Sequence, residues 1–309
     1  MRAIRQATLG GPEVLELVEV ERPDPAPTEV LVRVRAAGIN PVDWKTRARG
    51  GFIGEPPFTV GWDVAGVVEA VGFGVTRFEP GDRVFGMPRF PHEAAAYAEY
   101  VTSPSRQLAR VPDGLSDVEA GALPLAGLTA WQALVETAEI GPGQRVLVLG
   151  GAGGVGHLAV QIAKVHGAHV IATASSQKHD FLREIGAHET VDYTSEDVGR
   201  LVSDVDVVLD TVGGEAGATA LPALGDGGIL VTLSGAALGS LRELANDRVR
   251  VAGILVEPDR SGMEALAELV ASGALRPHVS QTFPLDEAAR AHEAGETGRT
   301  QGKLVLTIG

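Results

Sequence analysis

The chain has 309 residues, 26 Lys and Arg against 40 Asp and Glu, and no cysteine, which gives a formal charge of −14 at neutral pH. That balance speaks against nucleic acid or an anionic membrane as partner, and the missing cysteines exclude disulfides, thiolate nucleophiles and thiolate metal sites. With 44% hydrophobic and 21% charged residues, the composition is that of an ordered globular protein, long enough for two medium domains. The opening MRAIRQATLGG lacks the apolar core of a signal segment. The longest nearly uncharged stretch, Leu221 to Leu241, is interrupted by Asp226 and several glycines, so a cytoplasmic protein is expected.

In chain order, residues 1 to about 120 carry short β-prone runs separated by Pro and Gly: VLELVEV, EVLVRVRAAGIN, VAGVVEAVG, GDRVFG and AYAEYV. They predict an antiparallel β domain of barrel type. Pro23, Pro25 and Pro27 mark an exposed connection, since each removes a ladder donor. From Asp117 to Glu136 the pattern turns Ala/Leu-rich and helical, broken by Gly121, Pro124 and Gly127, which predicts the crossing into a second domain.

From Val146 strand and helix patterns alternate: VLVL, HVIATA, ETVDY, DVDVVLDTVG, GGILVTLSG and RVRVAGILVE are six strand candidates. They predict a doubly wound parallel sheet, an α/β fold. A helix is expected from Gly262 to Ser272, and a last strand, KLVLTI, that returns to the first domain and makes it discontinuous. The expected division is 1–120 completed by 275–309, and 121–274.

The most informative stretch is RVLVLGGAGGVGHLAVQIAKVHG, Arg145 to Gly167. A non-alternating apolar run suits a strand covered on both faces. Gly151, Gly153 and Gly156 then fit G-x-G-x-x-G, with Gly154 and Val155 inside the turn. Apolar residues recur at helical spacing, with His157, Gln161 and Lys164 on the opposite, polar face. Strand, glycine turn and helix are the context a dinucleotide site needs: pyrophosphate approaches backbone where no Cβ intervenes, and a helix N-terminus offers free N–H groups.

These motifs, with EVLVRVRAAGINPVDWKTR, GWDVAGVVEAVGFGV and FEPGDRVFG in the first half, resemble the medium-chain dehydrogenase/reductase superfamily, specifically its zinc-free quinone oxidoreductase or zeta-crystallin branch. NPVDWK looks most like the subgroup of alkenal/enone reductases and chloroplast-envelope-type quinone reductases. The resemblance covers essentially the whole chain. It implies a GroES-like β-barrel domain paired with a Rossmann domain, and an active site in the cleft between them. Zinc alcohol dehydrogenases of the superfamily place a Cys near AAGIN and a His-Glu pair where this chain has Trp62-Asp63. Their four-cysteine structural loop would fall in MPRFPHEAAA. No metal is therefore expected.

The end of the second Rossmann strand holds Thr173, Ala174, Ser175 and Ser176, with no carboxylate there to repel a 2′-phosphate. Ser175, Ser176, Lys178 and Tyr193 are the expected phosphate ligands; in the resembling branch the matching Lys and Tyr do this, so NADPH is the expected cofactor. The alternative makes Lys178 a solvated helix-start residue and Tyr193 a core aromatic with a wet tip. Further expected contacts are Thr129, Thr211-Val212 and Leu233-Ser234.

For chemistry, Asn40 and Lys45 occupy the loop where zinc relatives carry their first ligand. Lys45 is expected to meet both the developing oxyanion of the substrate and the cofactor, and Asn40 to orient the acceptor. Trp44 reads as a core aromatic, and Asp43 and Asp63 as equally suited to structural roles. The expected activity is NADPH-dependent hydride transfer to a quinone or to the activated C=C of an α,β-unsaturated carbonyl. Alternatives are an enoyl-thioester reductase and a non-enzymatic NADPH-binding sensor or structural protein. Expected partners are a small quinone or enone, with room for a homodimer and none for nucleic acid or membrane.

Overall fold

The computed structural model describes residues 1–195 and 197–309. They divide into two compact units, Met1–Leu128 with Glu257–Gly309, and Thr129–Val256.

In the first unit, β1 (Arg2–Arg5) and β2 (Glu16–Glu19) form a separate antiparallel ribbon. The spine is β3 (Glu29–Ile39), followed by α1 (Pro41–Arg49), β4 (Val64–Val71), β5 (Arg83–Gly86), β6 (Tyr100–Pro104) and β7 (Leu108–Arg110). Val30, Val32 and Val34 of β3 face the main core. The register against β4 then shifts between Val34 and Ala36, so Ala37 and Ile39, of opposite parity, enter the same core. Two short helices, α2 (Asp117–Ala122) and α3 (Pro124–Trp131), close this stretch.

The second unit alternates as the apolar runs predict. Its elements are β8 (Arg145–Leu149), α4 (Gly156–Val165), β9 (His169–Ala174), α5 (His179–Ile185), β10 (Glu189–Asp192), α6 (Val198–Leu201), β11 (Val205–Asp210), α7 (Ala216–Ala220), β12 (Leu224–Thr232), α8 (Leu238–Ala245) and β13 (Arg250–Gly253). All pairings are parallel, in the order β10-β9-β8-β11-β12-β13. This is the Rossmann order, which reverses beside β8 and so opens a ligand crevice at the carboxyl ends of the strands.

The chain then returns through α9 (Arg260–Ala271), β14 (Val279–Pro284), α10 (Ala288–Glu296) and β15 (Lys303–Thr307). As expected, the last strand pairs with the first domain: β15 runs antiparallel to β3, giving the order β14-β15-β3-β4-β5-β7 with β6 also against β3. The domain limits differ from the sequence reading at both junctions. Residues 121–128 and 257–274 go with the barrel unit, because α2 packs on β3 and α9 on β7. Arg77 also pairs with Glu264 of α9 at 2.8 Å. Local periodicity places a helix but not its packing partner. Among the described residues no helix is long and apolar enough to cross a membrane.

Candidate functional site

The glycine turn between β8 and α4 is shaped by contacts that admit no side chain. A Cβ on Gly156 would lie 2.2 Å from the Gly150 carbonyl oxygen, so the helix can start this close to the strand only with glycine there. Gly150, outside the fingerprint, has φ +70°, a backbone that L side chains rarely adopt. β9 braces the turn: Thr173 accepts from the Gly150 N–H through its hydroxyl at 3.0 Å and from the Gly151 N–H through its carbonyl at 2.9 Å. The amides of Gly154 and Val155, at the mouth of α4, donate to no other group among the described residues. A glycine-rich turn with open N–H groups fits a pyrophosphate.

One expectation about α4 is corrected. His157 and Gln161 do not form a solvated face but are buried, and only Lys164 of the three is exposed. Burial is tolerated because each bonds the helix's own backbone: His157 Nδ1 to the Gly153 carbonyl and Gln161 Nε2 to the His157 carbonyl, both at 2.9 Å.

At the end of β9, Ser175, Ser176 and Lys178 lie together, the last two on a 3-10 turn, Ser176–Lys178, that leads into α5. Lys178 is half-buried, and that burial pulls its ammonium below the usual lysine range. Tyr193 follows β10 with its side chain exposed, 59%, so it is not a core aromatic. The fold also brings Asp192 to this place: it pairs in register with Ala174, and its Oδ2 accepts the Ser176 N–H at 3.1 Å. The sequence reading took Tyr193 from the end of this third strand and passed over its neighbour Asp192, which the parallel register sets beside the end of β9.

Elsewhere at the carboxyl ends, Thr211 donates to the Leu149 carbonyl at 2.7 Å. Buried Asp210 accepts the N–H groups of Val212 and Gly213 and the Thr232 hydroxyl. Leu233 and Ser234 spend their amides on Asp210 O and Thr232 Oγ1. Val212 is 62% exposed, and Thr129 is buried in α3. These loops are held by their own strands.

In the first unit, Asn40 and Lys45 belong to a helix rather than a loop. Asn40 is the N-cap of α1, Pro41 stands at N1, and Asp43 accepts the Asn40 N–H at 2.7 Å. Asn-Pro-x-Asp was a readable start signal. The helix turns Asp43, Thr46 and Arg47 inward and leaves Lys45 exposed. Trp44 packs against the core, edge-on to His292.

Beneath α1 lies a buried polar network that the sequence did not reveal. Arg47 Nη1 is 3.2 Å from His292 Nδ1, and a guanidinium only donates, so Nδ1 accepts and the neutral ring carries its proton on Nε2. That nitrogen faces the Tyr97 hydroxyl at 3.2 Å, and Tyr97 in turn donates to Asp43 Oδ2 at 2.9 Å. Burial, then the Arg47 charge, pushes His292 down to about 3. Burial pushes Asp43 up to about 7 against the hydrogen bond from the Asn40 amide.

A second branch ties Asn40 itself. Its Nδ2 donates to Asp63 Oδ2 at 2.8 Å, its Oδ1 accepts from Lys303, and Lys303 also donates to the Ile39 carbonyl at 2.9 Å. Lys303 Nζ lies 3.6 Å from Asp63 Oδ2, and Asp63 Oδ1 accepts the Leu125 N–H at 2.7 Å. Burial raises Asp63 and lowers Lys303, each opposed by the other's charge. Both ends of the Asn40 amide are thus engaged and the residue is buried. Its side chain holds the turn before α1.

Two family descriptions match the chain: Alcohol dehydrogenase GroES-like domain over residues 26–113 and Zinc-binding dehydrogenase over residues 185–306. A quinone oxidoreductase of Pseudomonas aeruginosa is 37% identical, with 99% of each chain covered. The chain belongs to the medium-chain dehydrogenase/reductase superfamily, in its quinone oxidoreductase branch. A 2-methylene-furan-3-one reductase of Solanum lycopersicum is 37% identical over 99% of this chain and 79% of its own. The Escherichia coli quinone oxidoreductase, solved in complex with NADPH, is 33% identical with a TM-score of 0.88, covering 99% of this chain and 100% of that one. As a member of this superfamily the protein is an oxidoreductase that uses a nicotinamide cofactor. The zinc in one family description has no counterpart in the residues: Trp62 is fully buried with its Nε1 donating to the His92 carbonyl at 2.7 Å. Among the described residues no group of three or more His, Cys, Asp or Glu could hold a metal ion.

Proposed function

We propose that the chain is an NADPH-dependent reductase that delivers hydride to a quinone or to the activated C=C of an α,β-unsaturated carbonyl, without zinc. The observation that carries this is the β8–α4 glycine turn with its open amides, in a chain matched over its full length by relatives named for quinone and enone reduction.

When bound, the nicotinamide supplies the hydride. The glycine turn holds the pyrophosphate, and Ser175, Ser176, Lys178 and Tyr193 hold the adenosine end, where Lys178 favours a 2′-phosphate as a point charge. Lys45, exposed on α1, is the donor that meets the oxyanion formed as a quinone or enone accepts hydride. A conjugated acceptor suits a site of this kind, because the charge is spread onto an oxygen that one ammonium can stabilise, whereas an alcohol or simple carbonyl needs a stronger electrophile. The residues under α1 keep Lys45 in place and exchange nothing with substrate.

The test is NADPH oxidation followed spectrophotometrically across quinones, enones, enals and enoyl-thioesters. Turnover of small quinones or enones with NADPH is expected. Turnover confined to enoyl-thioesters, or none with any acceptor despite tight NADPH binding, would overturn it.

A further inference from the structure

The sequence leaves no carboxylate at the end of β9, yet the fold supplies one from its neighbour. Asp192 ends β10, in register with Ala174 of β9. Its Oδ2 accepts the Ser176 N–H at 3.1 Å, and its Oδ1 accepts the N–H and the hydroxyl of Thr194 at 2.9 and 2.6 Å. The Thr194 hydrogen bonds, with that from Ser176, hold the carboxyl down to about 2, so it is an anion at any assay pH. Ser176 opens the same turn that carries Lys178. The Asp192 carboxylate and the turn that carries Lys178 thus meet at the strand end at which a Rossmann fold receives the adenosine ribose.

The two charges act on the ribose 2′ position in opposite senses. A carboxylate accepts a hydrogen bond from a free 2′-hydroxyl and repels a 2′-phosphate dianion; an ammonium attracts the dianion and gains little from the hydroxyl. We propose that Asp192 is a specificity-determining residue of the adenosine subsite, which favours NADH, opposes the 2′-phosphate of NADPH, and narrows the preference that Lys178 creates. The chain therefore accepts both nucleotides. This rests on the NADPH reading above.

The test is calorimetric binding of NADPH, NADH and 2′,5′-ADP to the wild type and to Asp192→Asn and Asp192→Ser. Asparagine keeps an acceptor oxygen for the turn and removes the charge; serine repeats the reading if the amide reorders the turn. Loss of the charge should tighten NADPH and 2′,5′-ADP by about five- to tenfold, the scale of one solvent-screened charge, and leave NADH unchanged or weaker. A carboxylate that only braces the turn would shift NADPH and NADH together. An unchanged ratio of the two dissociation constants in both variants therefore overturns the proposal while the NADPH reading stands. If the wild type binds NADH but neither phosphorylated ligand, the NADPH reading fails. The proposal then survives only if Asp192→Asn admits 2′,5′-ADP. Binding of neither nucleotide overturns both.

Discussion

Lys45 is exposed while its helical neighbours Asp43, Thr46 and Arg47 are buried, so its ammonium is presented by a helix whose other face is fixed. Lys45→Ala should lower kcat/KM with the best quinone or enone on the order of 10²-fold, the usual loss for one oxyanion donor. Steady-state kinetics with NADPH would show it, and an unaltered variant would remove Lys45 from the chemistry. Lys178→Ala should weaken NADPH roughly ten- to a hundredfold and NADH far less, since only NADPH carries the extra phosphate. Equal weakening of both in a binding titration would exclude Lys178 from the phosphate site. At this scale the sequence was legible where local structure follows from neighbours in the chain, as at Gly156. It was silent on what holds the Asn40 amide, because the partners, Asp63 and Lys303, are 23 and 263 residues away.

The network under α1 joins elements that nothing local connects: Asp43 and Arg47 on the helix, Tyr97 between β5 and β6, His292 on α10. Its pH behaviour has two opposed parts. Asp43, at about 7 in the fold against an unfolded value of 3.8, holds its proton more tightly when folded. Its contribution to stability is full below about pH 4 and is lost as pH rises to about 7. His292, at about 3 against 6.5, resists protonation in the fold, so its contribution is full above about pH 6.5 and is lost as pH falls toward 3. Asp43→Asn mimics the protonated carboxyl and removes only the first part. Urea unfolding at pH 4.5, 5.5 and 6.5 should therefore show the wild type losing stability relative to this variant as pH rises. A difference that stays constant or grows in favour of the wild type would show that Asp43 is ionised in the fold throughout.

Over the whole molecule, the parallel sheet was the most legible feature, because strands covered on both faces read as unbroken apolar runs between glycines. The barrel was legible as strands but not in its limits, since α9 belongs to it through its packing on β7 and its Arg77–Glu264 pair. The same scale governs the metal question. A chain with no cysteine, and with Trp62 buried where zinc relatives have histidine, should retain no stoichiometric zinc and keep its quinone or enone turnover in chelator. Elemental analysis with assays before and after chelation checks this, and oxidation of simple alcohols should be negligible by comparison. About one tightly bound zinc per chain, with activity lost on its removal, would contradict it.

The return of β15 to β3 also sets an order of events at the ribosome. Lys303 caps a bond to Ile39 across 264 residues, and the whole Thr129–Val256 unit is synthesised between them. The nucleotide unit has all six of its strands in one continuous segment, so it can fold while the chain is still being translated. The barrel must wait: until Lys303 emerges, Asn40 and Asp63 lack their ammonium and the edge of β3 lacks its last partner. Vectorial synthesis thus makes the half that carries Lys45 the last to be sealed.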